Sequence, residues 1–224
     1  MLRSVLTFCL ILVSGLTVAQ LEGKVICIDP GHPSEVGMGT RGKKLTELEV
    51  AWNMAQLVKV RLEKMGAKVV LTKSSKGQFV RNRERASIAN RAKADFMLRL
   101  HCDAAAGSGF ASYYPTQQGK SEGVTGPSQA LLKRLKPVAV RFHSALAEGM
   151  KGYLSDDGLK SDLKTAVGGK QGALTGSVFS KVPVVLVELV VLTNPKDEAF
   201  VASKRGQDVF AEALALAVVA AVGR

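Results

Sequence analysis

Three ionisable residues lie inside apolar segments or at their carboxyl ends. The hydrophobic pattern of these segments gives no reason for an ionisable side chain at these positions. His32 follows the apolar segment 24–28, His101 ends the segment 95–101, and Glu188 lies within VPVVLVELVV. The chain has three histidines, so two of the three fall at the carboxyl ends of apolar segments. Burying an unpaired carboxylate costs several kcal/mol, so Glu188 needs a counter-charge, a metal ion or a raised pKa.

Together these residue types can form a catalytic zinc site. Two imidazoles and one carboxylate, with a fourth position left for water, are a donor set of catalytic zinc, and a second carboxylate beside that water would act as general base. His32 and His101 supply the imidazoles if their segments are strands of one sheet. Glu47 is a candidate ligand because the glycine-rich loop 37–42 can fold back toward His32. Spacing alone leaves five acids open: Asp29, Glu35, Glu47, Glu49 and Asp103.

Each of these residues also has a structural interpretation. A single histidine is more often structural than a ligand. The negative charge of Glu47 in the first turn of a helix interacts favourably with the helix dipole. The carboxylate of Glu188 can pair with one of the 31 basic residues. His143 lies in a helical stretch away from acids, and we expect it to be structural. No GxSxG, GxxxxGK[ST], GxGxxG or HExxH motif is present. Cys102 beside His101 would point to the opposite face of a strand, which argues against a cysteine hydrolase.

The elements predicted around these residues alternate between strands and helices. Apolar, branched runs predict short strands at 24–28, 67–72, 95–101, 111–114, 159–163 and 182–191. Helical spacing and end signals predict helices from the capping box at 46–49 to Gly66, at 81–93, at 128–150 with a break at Pro137, and from 194 to 220. Residues 117–126 are polar and glycine-rich and predict a surface loop. The alternation predicts a single α/β domain, with a largely parallel twisted sheet of about six strands and helices on both faces.

The composition fits a globular protein with an anionic partner. Of 224 residues, 46% are hydrophobic, which supplies a sizeable core and excludes a disordered chain. The formal charge of +12 favours an anionic partner surface. We expect no nucleic acid, because no binding module is visible and only 5% of residues are aromatic. Three cysteines are too few for a disulfide scaffold, and we expect Cys27 and Cys102 to be buried free thiols.

The first 19 residues have the pattern of a secretory signal peptide. A positive start precedes an apolar segment, and TVA ending at Ala19 places small residues where a signal peptidase reads. We expect cleavage after Ala19, export to the periplasm, cell wall or medium, and no stable membrane span in residues 20–224. The alternative is an uncleaved anchor, because the uncharged run 4–21 has 18 residues, near the lower limit of a span.

Four motifs occur in order along the remaining chain. They are IDPGH ending at His32, TELEV from Thr46, RERASIANRAKADFMLRLHCD ending at Asp103, and PVVLVELVVLTN ending at Asn194. In this order, and with these strand and helix contexts, the chain resembles the zinc-dependent N-acetylmuramoyl-L-alanine amidases of bacteria. The resemblance covers nearly all of residues 20–224, which would form a zinc amidase catalytic domain.

The resemblance implies roles for four residues. The zinc (Zn2+) ligands would be His32, Glu47 and His101, which selects Glu47 among the acids that spacing leaves open. Glu188 would be the catalytic glutamate, acting as general base on water that zinc activates. The implied substrate is peptidoglycan, and the implied reaction is hydrolysis of the amide bond between N-acetylmuramic acid and L-alanine of the stem peptide.

The chain departs from the family pattern close to these residues. Pro33 and Ser34 replace two glycines after the first histidine. Around the second histidine, Arg99 stands where the family has serine, and Cys102 and Asp103 where it has alanine and asparagine. These changes bear on substrate preference more than on reaction type.

Two other functions stay open at this point. A zinc carboxypeptidase-type peptide hydrolase would use the same metal site, with an arginine for the substrate's terminal carboxylate. A non-catalytic cell-wall-binding protein would bind without turnover, although retention of all four residues argues against it. The sequence does not identify a protein activator.

Overall fold

A computed structural model describes residues 20–223, so the predicted signal peptide at residues 1–19 lies outside the described residues. The strands are β1 (Val25–Pro30), β2 (Lys68–Leu71), β3 (Phe96–Asp103), β4 (Phe110–Tyr114), β5 (Gly119–Ser121), β6 (Val124–Gly126), β7 (Asp156–Ser161) and β8 (Val184–Val191). The helices are α1 (Glu47–Lys64), α2 (Asn82–Arg91), α3 (Gln129–Met150), α4 (Ala166–Gln171), α5 (Thr175–Val178), α6 (Pro195–Ala202) and α7 (Lys204–Val222).

Six of the strands form one mostly parallel sheet, in the order β2-β1-β3-β8-β4-β7. The first four strands of this order are parallel, whereas β4 is antiparallel to β8 and parallel to β7. These are the six strands predicted from the sequence, and the predicted α/β class with a largely parallel sheet is confirmed.

The order of the strands creates a crevice between β1 and β3. The chain passes from β1 through α1 to β2 on one side, and then through α2 to β3 on the other side. Because such crossovers have one hand, α1 and α2 cover opposite faces of the sheet. The carboxyl ends of β1 and β3 therefore flank a topological switch point, where ligands bind in open α/β sheets.

Apolar side chains on the two faces form two main cores of unequal size, and a small third cluster joins Ala111, Tyr113 and Leu186. The larger core joins Phe96 of β3, Phe142 of α3 and Phe210 of α7, all fully buried. The smaller core surrounds Cys27 under α2. Cys102 lies in the larger core, so both cysteines are buried and free, as predicted. Among the described residues, no helix combines the length and the apolar character needed to cross a membrane.

Three elements differ from the sequence prediction. Residues 117–126 form the hairpin β5–β6 rather than a loop, and a Cβ on Gly119 would lie 2.4 Å from the backbone nitrogen of Ala173. Helix α3 continues through Pro137 because its packing along α7 outweighs the lost backbone hydrogen bond. The last helix is divided at Ser203, whose hydroxyl caps the first turn of α7 at 2.9 Å.

A buried carboxylate ties several of these elements to the end of β1. Asp29 is fully buried and lies 2.6 Å from Arg85 Nη1 of α2 and 2.8 Å from Arg99 Nε of β3. Thr72, just after β2, donates its hydroxyl to the same carboxylate at 2.5 Å. Burial alone would raise the pKa of Asp29, but the two guanidinium groups lower it well below its usual range.

Neutralising this carboxylate tests its role in stability. We expect Asp29→Asn to lower the free energy of unfolding by about 3–5 kcal/mol, because two buried guanidinium groups lose their counter-charge. Asp208→Asn is the control, because Asp208 pairs with Arg61 at 3.1 Å but its side chain is 49% exposed. For the control we expect a loss below about 1 kcal/mol. Urea denaturation measures both, and equal losses would contradict the structural role of Asp29.

Candidate metal centre

His32 lies just beyond β1, in a loop that two buried basic residues hold. Its backbone has a φ of +50°, in the left-handed region that costs energy for a residue with a side chain. Lys73 donates to the carbonyl oxygen of His32. Arg85 donates to the carbonyl oxygen of Pro30 at 2.7 Å and to that of Pro33 at 2.9 Å. The carbonyls on both sides of His32 are therefore fixed from the sheet and from α2, which keeps the imidazole in place.

Glu47, the first residue of α1, brings the two histidines together. Its Oε1 lies 2.9 Å from His101 Nδ1 and 3.3 Å from His32 Nε2. Two backbone amides donate to the same carboxylate, that of Cys102 to Oε1 at 3.1 Å and that of Thr40 to Oε2 at 2.8 Å. The amide of Thr40 shows that the glycine-rich loop does fold back onto Glu47.

Two glycines make room for this cluster. A Cβ on Gly39 would lie 2.6 Å from Glu47 Oε2 and 2.8 Å from His32 Cδ2. A Cβ on Gly31 would lie 2.7 Å from His101 Cε1. Either contact is closer than real Cβ atoms approach, so both positions require glycine for the observed packing.

The three side chains have the spacing of a metal site. Each offers one ligand atom, and these atoms of His32, Glu47 and His101 all lie within 4.8 Å of one another. Tetrahedral zinc with bonds of about 2.0–2.1 Å places its ligand atoms about 3.3–3.4 Å apart. The 3.3 Å between His32 Nε2 and Glu47 Oε1 matches that value, whereas the 2.9 Å between His101 Nδ1 and Glu47 Oε1 is a hydrogen-bond distance in the metal-free cluster. His32 Nδ1 is 2.9 Å from the carbonyl oxygen of Gly37, which orients the ring and leaves Nε2 for a metal.

Burial and charge set the protonation of the cluster. Burial alone would raise the pKa of Glu47, but hydrogen bonds from His101 and His32 lower it well below its usual range. Burial lowers the pKa of His101. Burial also acts to lower the pKa of His32, but the hydrogen bond and charge of Glu47 together with the Gly37 carbonyl outweigh it and raise the pKa. The carboxylate is thus held in its charged form, which is the form that binds a metal ion.

Glu188 lies across the strand pair from His101. The two residues are Cα partners in the register of β3 and β8. Burial, followed by the charges of Glu47 and Asp103, raises the pKa of Glu188 well above its usual value. Glu188 Oε2 and His101 Nε2 are buried and have no hydrogen-bond partner among the described residues. Buried polar atoms need partners, so these two atoms and the donor set fit a zinc ion with water beside it.

A cleft of about 150 Å3 opens beside the cluster, over the face of the sheet that α2 covers. Its polar and ionisable lining includes His32, Asn82, Arg99, His101 and Glu188. Its apolar lining comes from the loop after β1, from β8 and from residues 165–175, with the side chains of Val36, Val167, Leu174 and Leu186. A small peptide group can therefore reach the metal cluster and Glu188 together.

Of the five acids that spacing leaves open, Glu47 is the one that contacts the histidines. Asp29 belongs to the buried ion cluster. Glu35 accepts from Asn82 at 2.9 Å, and Glu49 completes the predicted capping box. Asp103 accepts from the amides that follow it in the chain. Arg99, expected from the sequence to lie near the metal site, lines the cleft, because alternation along β3 puts it on the same face as His101.

His143 lies outside the metal cluster, as predicted. It is buried, with Nδ1 3.0 Å from the Ser112 hydroxyl and Nε2 3.3 Å from Asp156 Oδ1. Ser112 is fully buried, so this trio joins α3 to β4 and β7 and presents no accessible nucleophile.

A wider depression of about 660 Å3 lies between the loop after α3 and α6. Its buried acid, Asp197, accepts from the Ser108 hydroxyl and the Gly109 amide, both at 2.6 Å. These bonds fix the loop before β4, so the carboxylate of Asp197 has a structural role.

A mostly parallel α/β sheet with a His-Glu-His cluster at its carboxyl edge is typical of a metal-dependent hydrolase. A sequence model of the Amidase_3 family, described as N-acetylmuramoyl-L-alanine amidase, matches residues 26–220. Because this match covers most of the chain, the protein belongs to that family.

Curated relatives carry the same description. The chain is 30% identical over 200 residues to N-acetylmuramoyl-L-alanine amidase LytC of Bacillus subtilis, which is 88% of this chain and 34% of that protein. It is 26% identical over 227 residues to N-acetylmuramoyl-L-alanine amidase Rv3717 of Mycobacterium tuberculosis, covering 88% and 86% of the two chains. The chain spans 34%, 54% and 36% of the lengths of three Bacillus subtilis relatives, so it corresponds to only part of each.

Solved structures share the fold. The amidase Ami1 of Mycobacterium smegmatis superposes with a TM-score of 0.70 at 21% identity, covering 89% of this chain and 96% of that one. The amidase AmiC2 of Nostoc punctiforme gives 0.68 at 22% identity, covering 87% and 94%.

Metal titration tests the donor set. We expect the protein to bind one zinc ion, and Glu47→Gln or His101→Ala to weaken binding by more than about 100-fold, because loss of an outer partner alone costs 10–100-fold. His143→Gln is the control and should bind zinc as the wild type does. Calorimetric titration of metal-free protein measures all four affinities. Unchanged affinity in Glu47→Gln would contradict the assignment.

Proposed function

We propose that the protein is a zinc-dependent N-acetylmuramoyl-L-alanine amidase that cleaves peptidoglycan between N-acetylmuramic acid and L-alanine of the stem peptide. The observation that carries the proposal is the close cluster of His32, Glu47 and His101 with Glu188 across the strand pair. Membership of the amidase family supports the reaction type.

In this proposal His32, Glu47 and His101 hold the zinc ion. When bound, zinc acts as a Lewis acid that polarises the amide carbonyl and acidifies water. The protein's contribution is orientation, because Gly37 fixes the His32 ring and two backbone amides fix Glu47. Because these hydrogen bonds restrict both side chains, the donor atoms of the cluster keep a fixed orientation relative to the cleft.

Glu188 is the general base. Its carboxylate lines the cleft beside His101 and has one buried oxygen without a protein partner. It would accept a proton from the attacking water and deliver it to the leaving amine. The apolar strand around it limits the access of bulk water, and a cation at the neighbouring cluster offsets the cost of its charge.

The location and substrate follow from the same proposal. Export after cleavage at Ala19 would bring the enzyme to the periplasm or cell wall. Peptidoglycan stem peptides carry carboxylates. The full chain has a formal charge of +12, and loss of Arg3 with the signal peptide would leave +11, a charge that attracts them.

Digestion of purified peptidoglycan tests the reaction and the base. We expect the zinc-loaded protein to release intact stem peptides, and a chelator to abolish release until zinc is restored. Glu188→Gln should lower kcat by about 10²–10⁴-fold, because general base catalysis is lost. Glu212→Gln, at an exposed glutamate paired with Arg61, is the control and should retain full activity.

Mass spectrometry of the products separates the outcomes. Release of single amino acids would indicate a carboxypeptidase-type hydrolase in place of an amidase. Binding to the cell wall without turnover by the zinc-loaded protein would indicate a non-catalytic binding protein.

A further inference from the structure

The cleft contains a buried arginine that the amidase reaction does not use. Arg99 is 2% exposed and lines the cleft together with His101 and Glu188. It lies two residues before His101 on β3, so both side chains point to the same face of the sheet. At about 3.3 Å per residue, their Cα atoms are about 6.6 Å apart along the strand.

Two of the three guanidinium nitrogens of Arg99 are bound to the protein. Nε donates to Asp29 at 2.8 Å, and Nη2 donates to Asn82 Oδ1 at 2.6 Å. The third nitrogen, Nη1, has no hydrogen bond to any residue in the described part of the chain. A Cβ on Gly176 would lie only 2.6 Å from Nη1 and 2.9 Å from Cζ, so a glycine there lets the backbone of α5 pack against the guanidinium group without displacing it.

The charge around Arg99 is not balanced by direct partners. Arg85 and Arg99 share the single carboxylate of Asp29. Arg85 also donates to backbone carbonyls through each of its nitrogens, whereas Arg99 keeps one nitrogen free. Two other acids lie near Arg99, Asp162 and Glu188. Asp162 accepts from the Leu174 amide at 2.9 Å, and neither acid makes a hydrogen bond to Arg99. A buried cation with a free donor is the expected form of an anion subsite.

We propose that Arg99 binds a carboxylate of the stem peptide, on the residue that follows the alanine of the cleaved amide. This inference rests on the proposed amidase function. Two extended residues span about 7 Å, which matches the separation of His101 and Arg99 along β3. The enzyme then prefers stem peptides whose second residue carries a free α-carboxylate over those in which this group is a carboxamide.

Two synthetic N-acetylmuramoyl peptides, identical except for that carboxylate or carboxamide, test the inference. We expect wild-type kcat/KM to be about 10- to 100-fold higher for the carboxylate substrate, mainly through KM, because a hydrogen bond to a charged group is lost in the other. Arg99→Gln should remove the preference, so that the two substrates have similar kcat/KM. The ratio is the readout, because loss of a guanidinium from the Asp29 cluster lowers turnover of both substrates alike. Arg91→Gln removes an equal charge from an exposed side chain and should keep the wild-type preference.

A second variant covers the case in which Arg99→Gln does not fold. Arg99→Lys keeps a counter-charge for Asp29, but one ammonium cannot replace the forked contacts of the guanidinium, so the preference should fall. Calorimetric binding of the two product peptides to the wild type adds a measurement that needs no turnover, with the carboxylate peptide expected to bind about 10-fold tighter or more.

The outcomes separate this inference from the amidase function. Equal cleavage of both substrates by the wild type would overturn the role of Arg99 and leave the amidase intact. A preference that persists in folded Arg99→Gln and Arg99→Lys would also overturn it. If neither substrate is cleaved and the two product peptides bind equally, both proposals fail.

Discussion

The buried carboxylate of Asp29 is the contact on which the geometry of the candidate site depends. It lies where β1 ends and the loop of His32 begins, and it holds Arg85 and Arg99 from two other elements. Arg85 in turn fixes the carbonyls on either side of His32. One ion cluster therefore sets both the position of a candidate metal ligand, His32, and the orientation of the arginine in the cleft.

Glu47 has a different task, which is to join the two faces of the sheet at its edge. It starts α1, the helix on the face opposite α2, and its carboxylate reaches the ring of His101 on the cleft side. Four groups converge on two oxygens, so the carboxylate has little freedom to turn. A divalent ion that binds such a cluster finds its donors already oriented. The conformational entropy of these side chains is therefore lost when the domain folds and not when the ion binds.

Much of the fold and part of the site could be predicted from the sequence, because the strands are strongly apolar and polar residues stand at their ends. Spacing could not choose Glu47 among five acids, since the choice depends on how loop 37–42 folds back. The hairpin at 117–126 and the unbroken helix at Pro137 depend on packing against distant segments, which local pattern does not contain. In the sequence, Arg99 is recognisable as a departure from the family pattern. Its place in the cleft depends on the pairing of β1 with β3, which the local sequence pattern does not contain.

Part of the cleft lining is separate in the chain from the candidate metal centre. It comes from residues 165–175, whereas the three candidate ligands lie between residues 32 and 101. Local hydrogen bonds support this part of the lining, such as that from the Gly168 amide to Thr165 and that from the Leu174 amide to Asp162. Mutations in this stretch can change the shape of the cleft without moving the histidines. The shape of the cleft and the geometry of the His-Glu-His cluster are thus encoded by different stretches of the chain.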